Sequence, residues 1–194
     1  MKDLVITLCV AACVLALCGC MSGSKPRGEQ EYNAEARMLT EEAETTMSAM
    51  ADVSHIIKTH PEFYKMRDHL PEVYDIVIRD ALKKLYDAYA LESEWARVTF
   101  DIAACEQRLG NTDKALEFAR LTLRLDPDYA WAYETIALAY SMAGQKAESS
   151  RERNACYSEA IKAYEKFIEA RPEDVRLESI QLNIKQMRKE MEKP

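Results

Sequence analysis

The chain has 194 residues, with 26 Lys and Arg against 33 Asp and Glu and a formal net charge of −7. A balance this acidic, without a polybasic run, argues against nucleic acid or anionic lipid as the partner, because both call for clustered positive charge. Glycines are few, and no stretch alternates apolar and polar residues for long, so the pattern excludes a β-rich fold and points to helices.

In chain order, Lys2 gives a short basic start, Leu4 to Leu17 form an uncharged apolar run, and Leu17-Cys18-Gly19-Cys20 follows. This arrangement resembles a bacterial lipobox, with Asp3 and Cys18 departing from the commonest pattern. The resemblance implies that residues 1–19 are a signal peptide, that Cys20 becomes the lipidated N-terminus, and that residues 20–30 form a flexible tether. The folded part is then expected in the bacterial cell envelope, anchored to a membrane by lipid on the non-cytoplasmic, periplasmic side. An uncleaved anchor is the alternative, since the 18 uncharged residues from Leu4 to Met21 sit at the lower edge of what spans a bilayer. Of six cysteines, cleavage would leave Cys20, Cys105 and Cys156; the last two fall on different helices and read as separate thiols.

Residues 31–93 read as N-terminal helices. Tyr32, Ala36, Leu39, Ala43, Thr46, Met50, Val53 and Ile57 step by four and three, which predicts one long amphipathic helix stopped by Pro61. The stripe holds two alanines and a threonine, so packing within the chain is favoured over a coiled-coil dimer. A second helix over about Glu72 to Leu91 carries a broad apolar arc that includes Val73, Ile76, Ala81, Leu82, Leu85 and Tyr89.

Residues 94–172 repeat themselves. Tyr133, Ile136, Ala137, Tyr140, Gly144, Ala160, Tyr164 and Pro172 form one copy; Ile102, Ala103, Gly110, Ala115 and Pro127 hold the same places in a weaker one, where Thr99, Glu106 and Ala119 replace aromatics. This pattern resembles the tetratricopeptide repeat (TPR). The resemblance implies an all-α, TPR-like right-handed superhelix of antiparallel helix pairs. It comprises two recognisable repeats, a degenerate N-terminal one suggested by Ala81-Leu82 lying 34 residues before Ala115-Leu116, and a capping helix within 173–194. The capping helix has an apolar seam from Leu177 to Met191 and a charged outer face that includes Arg176. Gly110 and Gly144 are expected to end the first helices in left-handed conformations.

The front halves of the copies are offset by 34 residues and the back halves by 45, an insertion of 11. Eleven residues are close to three helical turns, so the simplest expectation is a second helix extended at its N-terminus, with polar Glu148 to Asn154 projecting beyond the core. A loop there is the alternative.

From Cys20 onward the sequence has no Gly-rich phosphate loop, Gly-x-Ser-x-Gly, HExxH or CxxC motif. His55, His60 and His69 lie near acidic residues but lack the spacing of three or four that one helix face requires. No enzyme, metal site or cofactor is expected. The family resemblance instead implies a groove lined by the first helix of each pair, Arg97, Phe100, Ala104 and Arg108 from one and Trp131, Glu134, Leu138 and Met142 from the next, receiving an extended peptide or a helix of a protein partner. Trp131 could equally serve as a wedge between helices. The expected function is a membrane-tethered interaction scaffold or assembly accessory, with a ligand-handling subunit of an envelope transport system as the alternative. Oligomeric state is not legible in the sequence.

Overall fold

The computed structural model describes residues 32–59 and 69–193. The expected signal peptide, Cys20, the tether and Pro61 lie outside the described residues. The described regular structure is α-helical throughout: α1 (Ala34–Thr59), α2 (Leu70–Leu91), α3 (Ala96–Arg108), α4 (Thr112–Leu125), α5 (Ala130–Lys146), α6 (Ser150–Ala170) and α7 (Leu177–Met191). None of these helices is long and apolar enough to cross a membrane. Described residues up to Ser93 form one compact unit and those from Glu94 form a second. The first holds one described helix pair and the second two pairs and a last helix, so the all-α, TPR-like expectation holds.

In the first unit α1 and α2 pack antiparallel. Asn33 caps α1, its Oδ1 accepting from the Glu35 and Ala36 amides, and its own amide donates to Glu92 at the end of α2. At the other end Met50 of α1 clusters with Leu70 of α2. The buried seam of α1 is Ala36, Thr40, Ala43, Met50 and Ser54, with Met47 half-buried at the remaining heptad position. Thr40 thus takes the place where the sequence pattern suggests Leu39; the side chains of Val53 and Ile57, also in that pattern, lie outside the described residues. Small side chains let α1 lie close to α2, and the fully buried Thr40 hydroxyl escapes a desolvation penalty by donating to Ala36 O at 2.8 Å. The apolar arc of α2 is covered on one side; Ile76 stays 59% exposed.

The second unit holds the pairs α3/α4 and α5/α6, followed by α7. The second helices of all three pairs share one register. They end at Leu91, Leu125 and Ala170, and they bury Ala81, Ala115 and Ala160, then Leu85, Ala119 and Tyr164, then Ala88, Thr122 and Phe167. The turn between pairs repeats bond for bond. Asp126 N to Thr122 O, Tyr129 N to Asp126 O and Ala132 N to Tyr129 O recur as Arg171 N to Phe167 O, Asp174 N to Arg171 O and Leu177 N to Asp174 O. At Glu92 the first of these bonds recurs again, to Ala88 O.

Gly110 behaves as expected. At φ 77° it closes α3 in a Schellman turn, with Gly110 N bonded to Gln107 O and Asn111 N to Glu106 O. Gly144 does not terminate its helix, because α5 runs on to Lys146. Its reason is space: a Cβ there would sit 2.5 Å from Cε1 and 2.6 Å from Cδ1 of Tyr157.

The insertion is also divided differently from the expectation. Register against α3 and α4 puts residues 143–146 at the end of α5 and 150–156 at the start of α6, while the connecting loops 109–111 and 147–149 have the same length. The whole hairpin has been lengthened on both sides, rather than one helix alone. Ser149 caps the new end, its Oγ accepting from Glu152 N at 3.2 Å. The new turns do not simply project beyond the core. Asn154 Nδ2 donates to Met191 O at 3.2 Å and Arg153 Nη2 to Lys193 O at 3.0 Å, so α6 supplies partners for carbonyls at the end of α7.

The Gly144 contact has a measurable consequence. Gly144→Ala should lower stability by about 1–2 kcal/mol, because overpacking a buried ring outweighs the better helix propensity of alanine. Urea unfolding should show an earlier midpoint at unchanged slope, with partial recovery in Gly144→Ala/Tyr157→Leu. An unchanged midpoint in the single variant would show that the Tyr157 ring yields freely.

Candidate functional site

The residues singled out by the repeat fall on α3 and α5, which lie side by side. Gln107 Nε2 of α3 donates to Met142 Sδ of α5 at 3.2 Å, and the Phe100 and Tyr129 rings stand 4.9 Å apart. Phe100, Ala104, Leu138 and Met142 are each half-buried, with Arg97 and Arg108 exposed on α3. This is a strip of partly uncovered apolar surface. Its far side is firmly filled, since Val98, Ile102, Ala103, Ala137 and Ala139 are at most 1% exposed.

Trp131 and Glu134 have other partners. The Trp131 ring lies 5.5 Å from Phe167 of α6, with the Arg171 and Arg176 guanidinium groups 4.8 and 4.6 Å from its centroid. Such cation–π contacts contribute about 0.5–2 kcal/mol each. Arg176 Nη1 donates to both Glu134 oxygens, at 2.7 and 3.0 Å. Asp174 Oδ1 accepts from the Arg176 backbone N and from its Nε, both at 3.0 Å. Together these groups latch the turn between α6 and α7 onto the start of α5. Trp131 therefore acts as a wedge inside the fold. The sequence pattern put Arg176 on the charged outer face of the last helix, whereas it turns inward onto Trp131; no sequence signal marks Arg171 and Arg176 as its partners.

Where the first pair departs from the repeat, polar contacts take over. Thr99 and Thr122, both fully buried, have their hydroxyls 2.9 Å apart, and each lies within hydrogen-bond reach of a carbonyl of its own helix, Ala96 O and Phe118 O, so that one of the two hydroxyl protons is shared between a carbonyl and the other hydroxyl. Glu106, 1% exposed, accepts from Asn111 Nδ2 and stands 3.5 Å from Lys114 Nζ. Across to the next pair, Arg120 donates to the Tyr140 hydroxyl at 2.6 Å and lies over its ring.

Both described cysteines are free. Burial pushes the Cys105 thiol up to about 12, and burial followed by the Glu152 charge raises that of half-buried Cys156. Neither is poised as a nucleophile. His55 is exposed and His69 half-buried, and no group of three metal-ligating side chains gathers among the described residues. Tyr32, Ala34, Arg37, Met38 and Glu41 line a shallow, open depression on and just before α1.

No family model matches the chain, and no curated protein matches it. Similar solved structures include a MamA double mutant described as RS-1 ArsTM, at 15% identity over 81% of this chain and 91% of that one, with a TM-score of 0.45. A crystal structure of MamA is 17% identical over 84% of this chain and 97% of that one, with a TM-score of 0.38. A second, of MamA protein, is 16% identical over 81% and 92%, also at 0.38.

The latch has a pH dependence. Hydrogen bonds from the Arg176 side chain and then its backbone hold the Asp174 carboxyl below the usual carboxylate range. Its stabilisation is therefore complete above the ordinary Asp value of about 3.9, and it is lost as pH falls from there through the lowered folded value. Asp174→Asn should melt earlier than wild type at neutral pH and converge with it in acid. A melting difference that stays constant with pH would exclude the carboxylate charge as the cause.

Proposed function

We propose that this chain is a bacterial envelope lipoprotein whose helical repeat domain binds another protein, as a scaffold or assembly accessory rather than an enzyme. The observation that carries the reading is the half-buried strip of Phe100, Ala104, Leu138 and Met142 on two adjacent first helices. Apolar side chains held on rigid helices beside exposed polar ones are what a partner's peptide or helix needs for docking. Because Trp131 and Glu134 are engaged by the latch, the binding energy is assigned to Phe100, Leu138 and Met142, with Arg97 and Arg108 at the edge.

The strip is tested without disturbing the latch. A photo-crosslinking side chain at Arg108, exposed at the edge of the strip, should capture a defined protein in the native envelope. Adding Leu138→Glu/Met142→Glu to the crosslinker-bearing chain should lower the adduct at least about tenfold, the loss expected when a central apolar anchor is removed, with helix content retained. Identical adducts from both proteins would sink the strip as the site.

The lipobox motivates the anchor: two or more acyl chains on Cys20 would hold the chain stably, where a single chain binds only marginally. Metabolic labelling with a fatty acid should mark the wild type and fail to mark Cys20→Ala. Equal labelling of the two would refute lipidation at that residue. In this reading the repeat domain sits on the periplasmic side, within reach of its membrane, and needs neither metal nor cofactor.

A further inference from the structure

Helix α7 buries Ile180, Ile184 and Met187 against the rest of its unit. Its opposite face is not uniformly polar. Leu182 is 66% exposed, and Val175, in the turn just before the helix, is 96% exposed. Along that face Glu178, Leu182, Lys185 and Lys189 are spaced by four, three and four, which places them in one straight seam. All four are exposed, and the ion pairs of this region are made by their neighbours, Arg188 with Glu165 and Lys193 with Glu190.

The charge order along this seam selects its partner. With Leu182 at the centre, acid lies on the N-terminal side and base on the C-terminal side, so the seam complements itself when reversed. An antiparallel second copy with its two-fold axis at Leu182 sets Leu182 against the partner's Leu182. It also sets Glu178 opposite the partner's Lys185, twice by symmetry, and brings Val175 beside the aliphatic stem of the partner's Lys189. A parallel copy would instead stack Glu178 on the partner's Glu178 and Lys185 on the partner's Lys185. From this self-complementarity we infer that the outer face of α7 is a homotypic contact, joining two copies of this chain antiparallel through Leu182.

One helix face of this length is small beside the roughly 1,200–2,000 Å² buried in a stable complex. The contact is therefore weak in dilute solution, and tethering copies to a common surface strengthens it by raising their effective concentration. It is independent of the α3/α5 strip, which lies on other helices.

Oxidative crosslinking of the full chain, solubilised or in vesicles, reads the contact directly. Leu182→Cys should form a symmetric 182–182 disulfide, identified as a linked peptide by mass spectrometry, whereas Asn183→Cys, turned about 100° around the helix, should not. Adding either Glu178→Lys or Lys185→Glu to Leu182→Cys should cut the yield about fivefold, since each creates two like-charge contacts. The double exchange Glu178→Lys/Lys185→Glu restores complementarity and should restore the yield. Equal yields in all variants, or no 182–182 disulfide, would overturn the inference, leaving the face as a solvated cap or as the seat of a different protein.

Discussion

How closely two helices of a pair approach is set where one of them lacks a side chain. At Gly144 the backbone of α5 lies against the ring of Tyr157, where a Cβ would fall 2.5 Å from a ring atom. The same face of α5 carries Ala130 and Ala137, seven residues apart in sequence, and both join the cluster filled from α6 by Tyr157, Tyr164 and Phe167. Large groups on one helix fit over small groups on the other, the interdigitation by which protein interiors fill their volume. Because this seam recurs every seven residues, the hairpin can grow at both helix ends while the loop keeps its length, and that is how the insertion is accommodated. The ends of the added turns meet the carbonyls of Met191 and Lys193, so lengthening one pair also prepares the seat of α7.

The first pair solves the same problem with less apolar material. Tyr164 and Phe167 have as counterparts Ala119 and Thr122, all within 2% of full burial. Burying a large apolar side chain contributes roughly 1.5–3 kcal/mol, whereas a buried hydrogen bond such as Thr99 to Thr122 adds a net of about 0.5–1.5 kcal/mol. The α3/α4 pair is held more by hydroxyl and carboxylate contacts than by bulk. Its polar groups are specific about register, because Thr99 and Glu106 bury their oxygens only where Thr122, Asn111 and Lys114 meet them.

Much of this architecture is legible in the sequence because periodicity and turn chemistry act locally. The helix stripes, the Schellman glycine at 110 and the common register of the second helices depend on residues close in the chain. What escapes is tertiary. Leu39 and Thr40 are one residue apart, and which of them faces α2 is decided by how closely the helices pack, not by their hydrophobicity. Gly144 carries the same residue type as Gly110 and is used for close approach instead of a left-handed turn. The division of the inserted residues between α5 and α6 follows from keeping a short loop, which no single stripe reveals. For the candidate site, the helix faces were readable from spacing of three and four, but the occupancy of those faces was not.

Trp131 shows why. An exposed-face tryptophan near arginines is the residue type that anchors interfaces, and those arginines are present, but on this chain. Arg171 and Arg176 flank the turn after α6 and reach the indole only because that turn repeats the backbone bonds of the one before it. Glu134 then neutralises Arg176, and Asp174 orients it. A cation–π and ion-pair set that could have closed over a partner is consumed in fixing α7 in place. In the proposed reading, recognition is therefore assigned to side chains outside this latch, on α3 and α5. The plainer apolar strip of Phe100, Leu138 and Met142 keeps part of its surface open, whereas the more conspicuous tryptophan is covered from within the chain.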